Sequence, residues 1–367
     1  MSYKTISISI TIALVLIIMS AYATNEENIL TTDISYYIDS FIDDELLRSF
    51  TQKGYSIDEI QPFCYRIETI TDDGKELYAL YSIESQYFSD FIYYEAYASD
   101  QENGLILTVN MDYMYEFVPC DREPQTHCLY DFALPFRNER AWIEKGNICG
   151  YIDANQDLII TPQEGIWTKS DSFSDGYAVV VSEENQYGYI DINGQIVITP
   201  QYAWADDFHS GRAVVLIQDQ GYSFINKDNE LINGEFYDAA NPYHHEYASV
   251  RKNGCWNYIN LEGEYVTNGE YKTVLPANDD HTAWVSYEDD QSGIHQKFVL
   301  ISLINNEILS KSYYYVWEDD PFPVSSGFYI VRSDMGKGVI DNHGIEIIRP
   351  VFRLLYFTSD GAIIVKP

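Results

Sequence analysis

From about residue 136 onward, apolar and polar positions alternate in short runs that recur at a fixed spacing. One stretch, Gly188-Tyr189-Ile190-Asp191-Ile192-Asn193-Gly194-Gln195-Ile196-Val197-Ile198-Thr199-Pro200, sets two β-branched runs either side of an Asn-Gly. That is a tight-hairpin signal, because Asn and Gly tolerate the positive φ that such turns require. A second half follows as Phe208-His209-Ser210-Gly211-Arg212-Ala213-Val214-Val215, which ends in a run of strand length and strand composition. Pro162 and Pro200 stand where a ladder donor is no longer needed, and so close the third run. The pattern predicts three short strands per unit and no helix in this part of the chain.

The turn residue sets the register. It falls at Asp153, Asp191, Asn226 and Asn260, with separations of 38, 35 and 34 residues, and again at Asp341. The second half recurs at 173–180, 208–215 and 243–250, with 136–143 as an opening copy. Between 272 and 316 the unit is worn, with Ala283-Trp284-Val285 as its surviving part, and 360–365 reads as a closing half unit. A unit that cannot bury its own apolar face must stack on its neighbours. The expected fold is therefore mainly β: a tandem array of about six ~35-residue units over 134–367, built as a solenoid-like stack of β-hairpins or meanders. A β-propeller-like arrangement is the alternative, since three strands fall short of the usual four per blade.

These residues resemble the WG-repeat family, named for a Trp-Gly pair before Tyr-Ile-Asp, followed by a Gly, an Ile-Pro and a Phe-x-x-Gly-Ala-Val-Val tail. The resemblance spans about 134–367. Tyr187 stands in the family's Trp place in the best copy and Cys149 in the first, while Trp256 lies two residues after Gly254. The resemblance implies a bacterial scaffold for binding or interaction, not a reaction.

Residues 1–23 read as a signal peptide: Lys4, an apolar run over 6–19, and Ala21-Tyr22-Ala23 at the cleavage rule. Cleavage near Ala23 places the mature chain in the periplasm or outside the cell, without a membrane span. Residues 24–133 lack the clear unit and read as an acidic, mixed α/β cap. Thr32 or Asp33 would cap a helix with apolar positions from Ile34 to Phe50, and Gly54 would stop it. Leu105, Leu107, Val109, Met111, Tyr113 and Tyr115 alternate as one half-buried strand, and 76–84 and 87–97 are ambiguous between strand and helix.

A net charge of −35 repels nucleic acid and anionic lipid, so neither is an expected partner. The expected partner is another protein or an envelope polysaccharide. Five cysteines (Cys64, Cys120, Cys128, Cys149, Cys255) are too sparse for a disulfide-held scaffold, and Cys120 with Cys128 is the pair that closes most easily.

Candidate chemistry is thin. Asp153, Asn155, Asp157, Thr161 and Glu164 occupy calcium-loop places, but Leu158 stands where that loop needs Gly, and the segment aligns with a hairpin. His244-His245, near Asp238 and Glu246, reads as polar loop. Asp206-Asp207 and Glu318-Asp319-Asp320 are adjacent acids, which on a strand point to opposite faces and cannot bracket one bond. No metal, cofactor or catalytic residue is expected. The 33 Tyr and 6 Trp leave one further expectation, a ligand-stacking face built from Trp142, Trp167, Trp204 and Trp284. An enzymatic site before residue 134 is the remaining alternative.

Overall fold

The structure, a computed structural model, describes residues 55–61, 63–71, 74–97, 104–124, 127–288, 296–314, 328–357 and 363–366. The expected signal peptide, the helix over 32–50 and Glu318-Asp319-Asp320 lie outside these residues. Two compact units share them, one up to Phe236 and one from Tyr237 onward.

The first unit opens with an antiparallel sheet, in order Ser56–Gln61, Cys64–Ile70, Glu76–Ser82, Tyr93–Tyr97, Leu105–Asn110, Tyr115–Pro119 and Leu129–Tyr130, with Tyr87–Phe88 beside the third. Two four-stranded meanders follow. The first is Phe132–Ala133, Ala141–Lys145, Ile148–Ile152 and Leu158–Ile160; the second is Lys169–Ser174, Tyr177–Val181, Tyr187–Asp191 and Ile196–Tyr202. Trp204–Ala205, Arg212–Ile217 and Gly221–Asn226 form a three-stranded sheet. In the second unit, Ala239–Ala240, Ala248–Lys252 and Cys255–Ile259 form another, followed by a seven-stranded sheet from Thr273–Val274 to Glu346–Phe352 and the hairpin Leu354–Phe357 with Ile363–Lys366. A short leading strand thus precedes the Ala-Val strand of each unit. The full repeat has four strands rather than the expected three, the strand count of a propeller blade.

One cross-strand pair recurs in five successive sheets: Ala141–Ile152, Ala178–Ile190, Ala213–Ile225, Ala248–Ile259 and Ala283–Ile301. The last belongs to the worn copy, which keeps its pairing although its glycine turn is gone. Successive side chains of a strand face opposite ways. Ala178 and Val180 accordingly pack on Trp142 and Tyr151 of the preceding sheet and on Trp167 in the link after it, while Val179 packs on Phe208, Ala213 and Val215 toward the following one. The core lies between sheets, and the Ala-Val strand is buried on both faces.

The register residue builds the turn. Asp191 Oδ1 accepts from the N–H of Asn193 (2.9 Å) and of Gln195 (2.8 Å). The same two bonds form at Asp153, Asn226, Asn260 and Asp341. The third residue after each is left-handed: Gln156 (φ 64°), Gly194 (77°), Asn229 (63°), Gly263 (78°) and Gly344 (77°). A side-chain carbonyl or carboxylate thus stands in for a backbone acceptor and fixes the hairpin.

The expected α/β cap is corrected by this same device. Among the described residues before 134 no helix occurs. Residues 105–115 are not one strand but a hairpin, in which Asn110 Oδ1 accepts from Asp112 N (3.0 Å) and Met114 N (3.1 Å) around left-handed Tyr113. Glu76–Ser82 is a strand because it pairs along its whole length with Cys64–Ile70 and is buried on both faces, which suits its Tyr and Leu content. Thr71 makes the equivalent turn there, its Oγ1 accepting from Lys75 N at 3.0 Å before Gly74 (φ 80°).

The glycine three residues before the turn has a steric reason. A Cβ on Gly188 would sit 2.4 Å from Ile198 O and 2.6 Å from Pro200 N; at Gly338 the same atoms are Ile348 O (2.4 Å) and Pro350 N (2.5 Å). The last strand bulges across this point. Where the glycine is Ser223 or Asn257, the sheet ends at three strands and isolated bridges mark the missing one, Ile225↔Leu231 in the first case and Ile259↔Tyr265 with Trp256↔Tyr271 in the second. Gly188→Ala is expected to destabilise the protein by about 2–3 kcal/mol through this overlap, read as a lower urea midpoint. An unchanged midpoint would show that the last strand does not depend on the close approach.

Candidate functional site

The tryptophans do not form a surface. Trp142, Trp167 and Trp284 are 2%, 0% and 6% exposed. Trp142 and Trp284 occupy the place that Val179 holds in its strand; Trp142 is covered by the cluster of Trp167, Phe173 and Val180, and Trp284 by that of Tyr313, Tyr329 and Val331. Trp204 is half-buried, edge-on to Tyr222 at 6.2 Å. The expected stacking face is therefore corrected for three of its four rings: Trp142 and Trp284 turn inward from their strands and Trp167 is buried in the link before Lys169–Ser174.

Trp167 lies six residues before Phe173, the place of Tyr130 before Phe136 and Tyr202 before Phe208. Those tyrosines donate to the left-handed residue of the next turn: Tyr130 to Gln156 Oε1 (3.3 Å) and Tyr202 to Asn229 Oδ1. Tyr271 donates to Asn306 Oδ1 (3.1 Å) in the second unit. The turn that Trp167 would meet carries Gly194, which has no side-chain acceptor, and its buried Nε1 has no partner among the described residues. Tyr189 and Tyr258 make another tether, donating to Asp206 O (2.7 Å) and Leu275 O. Trp256 is four residues before its turn residue, as Tyr187 is, so it occupies the family's Trp place after all.

The disulfide expectation is also corrected. Cys120 pairs with Cys64 at a Cα–Cα distance of 6.1 Å, and Cys128 is a half-buried thiol against the cluster of Phe117 and Tyr130. Sequence proximity favoured Cys128, but Cys64 and Cys120, which three intervening strands separate along the sheet, meet in the core cluster of Ile60, Leu80 and Val118. Cys149 and Cys255 are half-buried thiols too, and burial pushes the Cys149 thiol up. Asp153 serves the turn rather than a calcium loop, as its bonds to Asn155 and Asp157 show. His245 is a left-handed turn residue between the bridged His244 and Tyr247, and Glu246 faces His281 at 3.6 Å.

Three carboxylates are drawn together in the first unit. Asp206 and Asp207 follow Trp204–Ala205 rather than lying in a strand. Burial pushes the Asp207 carboxyl up to about 7, Asp171 and Asp206 push it the same way, and Arg137 opposes them. Asp171 escaped the sequence reading. The signal was there, since it stands two residues before Phe173 as Asp206 stands before Phe208. What the arrangement can do is hold a proton near neutral pH. Among the described residues no cluster of three His, Cys, Asp or Glu is arranged to hold a metal ion, and no helix is long and apolar enough to cross a membrane.

This architecture defines a β-sheet repeat protein. The model of the WG containing repeat matches residues 126–147 and 187–220, which supports a WG-repeat protein. No curated protein sequence gave a significant match. Among solved structures, one described as the eukaryotic initiation factor shares the fold at a TM-score of 0.53, with 10% identity over 80% of this chain and 86% of that one. BamB from Moraxella catarrhalis aligns at 0.41, with 10% identity over 74% and 95% of the two chains. The WD40 β-propeller domain of Doa1 aligns at 0.31, with 10% identity over 63% and 88%.

Folded Asp207 keeps its proton up to about pH 7, whereas an unfolded aspartate releases it near pH 4. Protonation therefore stabilises the fold, and stability falls as pH rises through 7. Asp207→Asn is expected to stabilise the protein by about 1 kcal/mol at pH 8, after discounting for solvent screening, and by nearly nothing at pH 4. Equal effects at both pH values in urea titrations would contradict the burial of this carboxyl among like charges.

Proposed function

We propose that this chain is an exported, non-catalytic repeat scaffold that binds a protein partner at the bacterial envelope or outside the cell. The observation that carries the reading is where the recurrent residues go. The turn Asp or Asn, the tethering tyrosines, the close-approach glycine and the Ala-Val strand are all used in building and stacking sheets. What varies between units is the outward surface, which is how repeat proteins present binding faces on a common frame. The buried Cys64–Cys120 bridge supports export, because disulfides persist in oxidising compartments. Lys4, the apolar run after it and Ala21-Tyr22-Ala23 point the same way.

Polysaccharide stacking has lost Trp142, Trp167 and Trp284 to the core, while Trp204 is half-buried and Tyr113, Tyr265 and Tyr287 are exposed. For an enzymatic site before residue 134, the one carboxyl pushed strongly up among the described residues, Asp207, lies elsewhere, in a repeat loop.

Proximity labelling by the chain expressed in its producing organism tests the reading. Enrichment of envelope or extracellular proteins over an exported label alone is expected; no enrichment overturns it. Export has its own readout. Alkylation of the purified, denatured mature protein should block three thiols without reductant, matching Cys128, Cys149 and Cys255, and all five cysteines after reduction. Five blocked thiols before reduction would remove the oxidising compartment.

A further inference from the structure

Cys120 has two rival partners, one favoured by chain length and one by the fold. Cys128 lies eight positions from it and Cys64 lies 56 positions away. In the unfolded chain the entropy lost on closing a loop grows with the logarithm of its length. Cys120 therefore meets Cys128 about twentyfold more often than it meets Cys64. Cys149 and Cys255 stand in later hairpins, farther from Cys120 along the chain than Cys128 is.

The folded sheet reverses that preference. Tyr115–Pro119 pairs with Leu129–Tyr130 in the register Tyr115↔Tyr130 and Glu116↔Leu129. One step further along this register sets Cys128 opposite Phe117, and Cys128 indeed packs on the cluster that holds Phe117 and Tyr130. Cys120 stands three residues beyond Phe117, roughly 10 Å along extended chain. Cysteines whose Cα atoms are more than about 7 Å apart are not bridged without moving the backbone. The clusters differ as well. Phe117 belongs to one, while Val118 and Cys120 belong to another with Ile60, Cys64 and Leu80. Cys64 and Cys120 are both buried there, and Cys128 is a half-buried thiol elsewhere.

We propose that Cys128 is the transient partner of Cys120, and that folding of the sheet transfers the bond to Cys64. A disulfide oxidant, reduced to two thiols in the process, first joins Cys120 to Cys128 in the unfolded chain. As the strands pair, the Cys64 thiolate attacks Cys120 Sγ. The bond from Cys120 to Cys128 breaks, the new bond to Cys64 forms, and Cys128 leaves as a thiolate that takes up a proton. This second step consumes no oxidant or reductant. Unfolding runs it backwards, so the position of the bond reports whether the sheet is formed. The exchange goes beyond the scaffold reading and takes from it only an oxidising setting.

The test uses the purified mature chain carrying one disulfide. In urea at mildly alkaline pH, with acid quenching and peptide mapping, the Cys120–Cys128 bridge should exceed Cys64–Cys120 by about twentyfold. Removal of urea should return the bond to Cys64. Equal amounts of the two bridges in urea, or retention of Cys64–Cys120 beside a free Cys128, overturns the proposal. The C64S variant gives a second readout. Its form bridged between Cys120 and Cys128 should melt at a lower temperature than its reduced form, opposite to the usual effect of a disulfide. An equal or higher melting temperature overturns the conflict between that bridge and the sheet, and the proposal with it. Both arms read the isolated chain, so their failure leaves the scaffold reading standing.

Discussion

Every sheet of the array is too thin to have an inside, and the rest of the structure follows from that constraint. In Tyr177–Val181 three consecutive residues are buried, two against the sheet before and one against the sheet after. Removing a Val, Ile or Phe side chain from water contributes about 1.5–3 kcal/mol. A tethering hydrogen bond such as Tyr189 to Asp206 O nets about 0.5–1.5 kcal/mol. Burial between sheets therefore sets the stability, and the tethers set the alignment. The tyrosines do both, since the ring packs while the hydroxyl reaches a fixed acceptor one unit further on.

The polar residues that look like chemistry are mostly structural for a related reason. A hairpin buried on both faces needs its turn fixed locally, and an Asp or Asn side chain does this by accepting two backbone N–H bonds. That use accounts for the calcium-like spacing after Asp153 and for the conserved register of an acid or amide through otherwise drifted copies. The glycine before the turn is equally mechanical: the last strand crosses within 2.4 Å of where a side chain would begin at Gly188. Where Ser223 and Asn257 replace it, the strand is shortened to isolated bridges. A repeat protein can thus lose a strand of one module without losing the module, because the Ala–Ile pair and the inter-sheet packing do not involve it.

Much of the frame was legible from spacing alone: the units, their turns, the Ala-Val strands and, among the described residues after 136, strands without helix. The region before residue 134 was misread because its turns use Thr71 and Asn110 without the Tyr-Ile-Asp and glycine that flag the later copies. With the flag gone, the alternation through 105–115 looked like one strand, although a left-handed Tyr113 divides it. The worn copy around Ala283 was underrated for the same reason, since its turn is one residue longer and built on Ser302 to Glu307.

By itself, the sequence determined the repeating hairpins, since turn formation and strand propensity act over a few neighbouring residues. Only the tertiary structure decided which way Trp142 and Trp284 face, that Cys120 meets Cys64 rather than Cys128, and that Asp171 joins Asp206 and Asp207. Those outcomes depend on which strand lies beside which and which sheet covers which face. Such contacts join residues tens of positions apart, where local spacing carries no information.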